Sequence, residues 1–230
     1  MAAPAWTVFS ILAVGLAILV VLLARQTAAL LEDPEGPVAD LPRRGLYLNV
    51  VLSHGLVLLA VGGAVLVTGV PIGPFGLDVA PTPVAAAALG VSVIAVNEIA
   101  DRIASALDRG DNPLRDRLTP DTPGQWILLA GVILPLVAAT EELLFRGALI
   151  GVLDAGTGLH PALLIAASAI AFGGAHSAQG SLGVAMATGI GLVFGIAYAL
   201  TGSLWLVIVV HYVVDLIEFA RHADVAPVRI

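Results

Sequence analysis

Three short segments place proton-moving groups in almost wholly apolar surroundings: Glu141-Glu142-Leu143-Leu144-Phe145-Arg146, Phe172-Gly173-Gly174-Ala175-His176 and His211-Tyr212-Val213-Val214-Asp215. On a helix, Glu142 and Arg146 share a face and can form a charge-assisted pair. Glu141 points about 100° away around the same helix and is left without a local partner. His211 and Asp215 repeat the four-residue spacing, so both can address one ligand or one substrate atom. A carboxylate beside an imidazole, shielded from bulk water, can act as general base toward a water molecule, and a second imidazole can stabilise the developing oxyanion. The set Glu141, His176, His211 and Asp215 could instead hold a divalent metal such as zinc through N and O ligands, with a metal-bound water as nucleophile. Both routes lead to hydrolysis of an amide.

The elements that must carry these groups are set by composition. Of 230 residues, 59% are hydrophobic and 12% charged, and the mean hydropathy is +1.01. Such a chain is a multi-pass membrane protein rather than a soluble enzyme, a disordered tail or a nucleic-acid binder. The net charge is -7 and every basic residue is Arg, so no polybasic surface for nucleic acid is present. The absence of Cys excludes disulfides, thiolate metal sites and a Cys nucleophile.

A helix crossing hydrocarbon needs roughly 20 apolar residues, because its backbone must be bonded internally. Seven segments are predicted to span, at about 5–24, 46–70, 83–100, 126–153, 161–178, 182–200 and 203–220. Breaker residues separate them, among them Pro34, Glu35, Gly36 and Pro37, then Pro71, Gly73 and Pro74, and later Pro123, Gly124, Gly156 and Gly158. With an outside N-terminus and a cytoplasmic C-terminus, Arg25, Arg43, Arg44, Arg102, Arg109, Arg115, Arg117, Arg221 and Arg229 all fall on the cytoplasmic side, as positive residues near helix ends do. The fourth span is long for a bilayer and is expected to tilt, kink near Pro135 or protrude. Residues 101–118 are expected to form a cytoplasmic linker with a short surface-lying helix and no chemistry. No internal repeat or second domain is visible, so 1–230 is read as one helical domain in the cell membrane.

Charged groups inside a span are costly and ask for a partner or a function. Counted from the outer loops at about 1.5 Å per residue, Glu141, His176, His211 and Asp215 fall within one layer roughly 10 Å deep, from the bilayer midplane into its cytoplasmic half. The three helices can therefore bring them together.

In this order and spacing, the segments resemble the CAAX prenyl protease type II and bacteriocin-processing (CPBP, Abi) family of intramembrane proteases. Its pattern is paired Glu with Arg four after the second, Phe with His four later, and His with Asn or Asp four later. The resemblance covers about 125–220. It implies an all-α polytopic membrane fold, here of about seven transmembrane helices enclosing an intramembrane catalytic cavity. It implies proteolysis near the C-terminus of a membrane protein or lipidated, prenylated peptide within the lipid bilayer. By carry-over, Glu141 and His176 would activate the water, His211 and Asp215 would bind the oxyanion or a metal, and Glu142, Arg146 and Phe172 would support them. The best understood prenyl proteases of this pattern carry Asn where Asp215 stands, and an ionised Asp cannot donate a hydrogen bond. Asp215 must therefore be protonated, orient His211 or bind metal.

Simpler readings stand beside these. Phe172 is a packing residue and a wall of the same cavity. The small residues Gly173, Gly174, Gly183, Gly189, Gly191 and Gly195 let helices approach closely. His54 lies at a depth comparable to the site, yet the resemblance asks nothing of it. Glu98 with Arg102, and Glu218 with Arg221, read as cytoplasmic-end pairs. His160 and His222 carry no signal. A proton-coupled transporter or an interaction or immunity factor of the same fold would use the same residue types.

Overall fold

The computed structural model describes residues 3–33, 36, 40–106 and 113–225. Among them are eight helices and no strand: α1 (Ala3–Glu32), α2 (Arg43–Thr68), α3 (Pro83–Ala106), α4 (Pro113–Leu118), α5 (Pro123–Thr157), α6 (Pro161–Ala175), α7 (Gly180–Thr201) and α8 (Leu204–Val225). Each of the seven expected spans coincides with one of the longer helices. Four of these, in α1, α2, α5 and the stretch Ser177–Thr201, are long and apolar enough to cross a membrane.

α5 is the axis of the bundle, in contact with α1, α2, α6, α7 and α8. It starts where Thr122 accepts a hydrogen bond from the Gln125 N–H, with Pro123 at the first helical position. Ahead of Pro135, where the long span was expected to tilt, kink or protrude, the helix takes a π-type turn at Leu129–Ile133. Pro135 has no N–H to donate and its ring crowds the carbonyl four residues back, that of Gly131, so a wider turn relieves both. A second π segment, Leu143–Val152, follows the two glutamates, and nearly all its side chains are buried.

Lipid offers no hydrophobic drive between helices, so their association rests on close packing. A Cβ on Gly173 would lie 1.9 Å from Thr188 Oγ1 and 2.8 Å from the Val184 carbonyl, and one on Gly191 would lie 3.1 Å from the Ala169 backbone. α6 and α7 therefore meet nearly backbone to backbone. At one end of the bundle, the α2–α3 connection is pinned to the α7–α8 corner: Leu204 N–H donates to Gly76 O, Trp205 Nε1 to Leu77 O and Tyr198 OH to Pro74 O. Gly76 has φ +74° and no space for a side chain against Gly202 O, so this corner requires glycine.

At the opposite end α4 lies beneath the bundle. Tyr47 OH donates to Leu118 O at 2.8 Å, Arg43 Nε to Arg117 O at 3.0 Å, and His222 pairs with Asp116 at 2.7 Å. Arg43 also pairs with Asp121.

Several expectations change here. α3 continues to Ala106, taking in the first part of the expected linker, because Ile103, Ala104 and Ala106 sustain a helix. Residues 107–112, with Leu107, Asp108 and Arg109, lie outside the described residues, as do Arg229, Pro34, Glu35 and Pro37. Glu98 does pair with Arg102 at 3.0 Å. Glu218 does not take Arg221: it faces Arg115 at 3.6 Å and accepts from Asn97 at 3.3 Å, while Arg221 reaches Glu98 at 3.8 Å. Glu218 turns toward the interior and Arg221 stays exposed, so the nearer partner in sequence is not the nearer in space. His160 caps α6, accepting from the Ala162 N–H at 3.2 Å.

Candidate active site

Glu141 and Glu142 leave α5 in different directions and meet different partners. Glu142 is fully buried, and its Oε1 accepts from Arg146 NH1 at 3.0 Å, as the four-residue spacing predicts. The same oxygen takes a second contact that spacing could not show, His211 Nδ1 at 2.7 Å from α8. Arg146 is also fully buried. Its guanidinium donates to Gly191 O at 3.3 Å and lies 4.4 Å from the centroid of the Phe172 ring and 5.4 Å from that of Phe194. Phe172 is thus both a wall of the cavity and a face for the cation. Phe194, absent from the sequence reading, also stacks on His211 at 5.6 Å.

Glu141 faces three imidazoles from three other segments. Its Oε1 lies 3.5 Å from His54 Nε2, and its Oε2 lies 4.0 Å from His176 Nε2 and 3.8 Å from His211 Nε2. Asp215 Oδ2 lies 3.4 Å from His211 Nε2. The shared depth expected for Glu141, His176, His211 and Asp215 is therefore accompanied by convergence, and His54 joins them. The sequence signal for His54 was its depth alone.

Each ring is oriented through its other nitrogen. His54 Nδ1 is 2.9 Å from Val50 O, His176 Nδ1 is 2.8 Å from Phe172 O and His211 Nδ1 is 2.7 Å from the Glu142 carboxylate. Carbonyl and ionised carboxylate oxygens only accept, so each Nδ1 carries the hydrogen and donates it. All three Nε2 atoms are left turned toward Glu141. For His176 this depends on where α6 stops: the helix ends at Ala175, short of the expected 178, and His176 begins the following turn with its N–H donating to Gly173 O at 3.0 Å.

These groups line a cavity of about 330 Å³ that also reaches Asn97, Arg115 and Glu218 beside α4. Glu141 Oε2 is buried and makes no hydrogen bond among the described residues. Tetrahedral zinc holds N and O ligands at about 2.0–2.2 Å, which sets neighbouring donors roughly 3.3–3.6 Å apart. The separations of 3.8 and 4.0 Å around Oε2 are wider, and among the described residues no three His, Cys, Asp or Glu side chains are arranged to hold a metal ion. The spacing around Oε2 is thus wider than that of a tetrahedral zinc site, while His211 Nε2 and Asp215 Oδ2, 3.4 Å apart, lie within it. The wider spacing fits a water, since atoms that far apart can each lie about 2.8 Å from one water oxygen.

No curated protein and no solved structure matches the chain. Residues 123–217 match the family model for type II CAAX prenyl endopeptidase, Rce1-like. The matched stretch contains Glu141, Glu142, Arg146, Phe172, His176, His211 and Asp215, and leaves His54 outside. With the paired Glu, the two His and their partners gathered at one cavity, the match of residues 123–217 to an Rce1-like domain supports the resemblance to the CPBP family of type II CAAX prenyl endopeptidases.

Proposed function

We propose that the protein is an intramembrane endopeptidase that cuts a peptide bond near the C-terminus of a prenylated membrane-associated protein or peptide, using water activated by Glu141 and His176. The observation that carries this reading is Glu141 Oε2, without a hydrogen-bond partner among the described residues and buried beside two imidazole Nε2 atoms at the cavity.

A water between Oε2 and His176 Nε2 donates one hydrogen to each. Glu141 takes a proton as the water oxygen bonds to the substrate carbonyl carbon and the C=O π electrons become an oxyanion. His211, protonated on both nitrogens and flanked by the carboxylates of Glu142 and Asp215, donates from Nε2 to that oxyanion. Collapse re-forms the carbonyl and breaks the C–N bond, and the proton on Glu141 passes to the leaving amine. Asp215 serves as counter-charge and orienter of His211, a role that an acceptor oxygen suffices to fill. Seven crossings, with the N-terminus outside and the C-terminus cytoplasmic, would open the α4 end of the cavity toward the cytoplasm, where prenylated tails are found.

The test is cleavage of a farnesylated, fluorescence-quenched peptide ending in a free three-residue tail, by protein purified in detergent. Wild type should release the tail, and Glu141→Gln should lose about 10²–10⁴-fold in kcat while staying folded. A Gln variant that cleaves normally would sink the mechanism. A proton flux abolished by the same substitution, without cleavage in wild type, would replace it with transport.

A further inference from the structure

His54 stands outside the matched domain, on α2, yet it makes the shortest of the three imidazole contacts with Glu141: 3.5 Å from Nε2 to Oε1, against 3.8 and 4.0 Å from the other two to Oε2. Its ring has little freedom. Nδ1 donates to Val50 O, one turn back on its own helix, at 2.9 Å, and lies 3.3 Å from Ser53 Oγ. With Nδ1 fixed there, Nε2 must project across the cavity toward α5.

The two oxygens of Glu141 are thereby made unequal. Oε1 has His54 beside it, whereas Oε2 is buried, has no hydrogen-bond partner among the described residues and faces His176 and His211. A carboxylate free to turn about its last torsion would present either oxygen, or neither, because terminal sp³–sp² torsions are broad. A hydrogen donated from His54 Nε2 to Oε1, which requires the imidazolium form because Nδ1 already carries a hydrogen, removes that freedom.

We propose that His54 is a positioning residue: by holding Oε1 of Glu141 it fixes the carboxylate so that Oε2 is the atom that takes the proton from water. The site of this chain then draws on a helix beyond its Rce1-like domain. The inference rests on the endopeptidase reading for its kinetic consequence, but the contact itself can be tested without any substrate.

The substrate-free measurement is the ¹⁵N resonance of the His54 Nε2 in histidine-labelled protein in detergent, wild type against Glu141→Gln. A hydrogen shared with a carboxylate and one facing an amide give different shifts, so the His54 signal should move while that of His160, capping α6 far along the chain, stays. No movement, or equal movement of His160, overturns the pairing.

The kinetic arm compares His54→Phe and His54→Gln on the farnesylated reporter. Loss of orientation should lower kcat about tenfold or more at nearly constant KM in the Phe variant. The Gln variant, whose terminal amide can again donate to Oε1, should recover part of the loss. Unchanged kcat in the Phe variant, or a loss that Gln does not recover, overturns the assignment. A wild type that cleaves nothing while the His54 resonance still answers to Glu141→Gln refutes the endopeptidase reading and leaves the pairing standing.

Discussion

Replacing Arg146 by Met keeps most of the volume and removes the charge from the interior of the bundle. In the native arrangement the guanidinium donates to Glu142 Oε1 at 3.0 Å and Gly191 O at 3.3 Å between two aromatic rings, with neither charged side chain exposed. Deleting one partner of a buried pair strands the other and costs about 3–5 kcal/mol. Here His211 Nδ1 still donates to the same carboxylate oxygen at 2.7 Å, which points to the lower end of that range. For a chain of this size, each kcal/mol moves Tm by about 2–4 °C, so a fall of roughly 6–12 °C is expected. Tryptophan fluorescence during heating in detergent would read it. Adding Glu142→Gln to Arg146→Met removes the stranded charge, and the double variant should be more stable than the sum of the two single losses by at least about 1 kcal/mol. A single Arg146→Met variant within about 1 kcal/mol of wild type, or strictly additive losses, would refute the reasoning that this pair matters by mutual neutralisation.

Other outcomes follow from the same geometry. Gly173→Ala should destabilise by about 1–3 kcal/mol in the same heating assay, because its methyl meets Thr188 Oγ1 and the Val184 backbone; adding Thr188→Ala should restore only part, since the backbone contact remains. Asp215→Asn keeps an acceptor oxygen near His211 Nε2 and should retain cleavage of the farnesylated reporter within about tenfold, whereas Asp215→Leu should lose more. If water is activated by Glu141 and His176 alone, as proposed, dialysis against a chelator should leave reporter cleavage unchanged. Activity lost on chelation and restored by a divalent metal would overturn the water-only mechanism.

Much of the site is legible along single helices. The pairing of Glu142 with Arg146, the odd carboxylate left at Glu141 and the approach of His211 to Asp215 all follow from four-residue spacing, which is local and nearly independent of what the helix packs against. Common depth is legible too, because rise per residue is fixed. Rotation is not. Which way a helix turns its face depends on where small residues such as Gly173 and Gly191 let neighbours approach, and that is settled only when all the helices are packed.

The contacts that cross between helices therefore appear only in the assembled bundle: His211 on Glu142, Phe194 on His211, and Glu218 turned toward Arg115 and Asn97 rather than Arg221. Breaks in helical regularity belong with them. The π turn ahead of Pro135 and the stop of α6 before His176 are small departures from a periodic pattern, yet they set where Glu141 and His176 point. His54 shows the division most plainly. Its sequence gives a depth, which any histidine at that position would share; its direction, toward one oxygen of Glu141, comes from the packing of α2 against α5. The sequence by itself determined the membrane, the motif helices and their common layer, because hydropathy and helical rise are properties of one segment at a time. The tertiary structure decided which side chains face one another, because that depends on rotations shared among several segments at once.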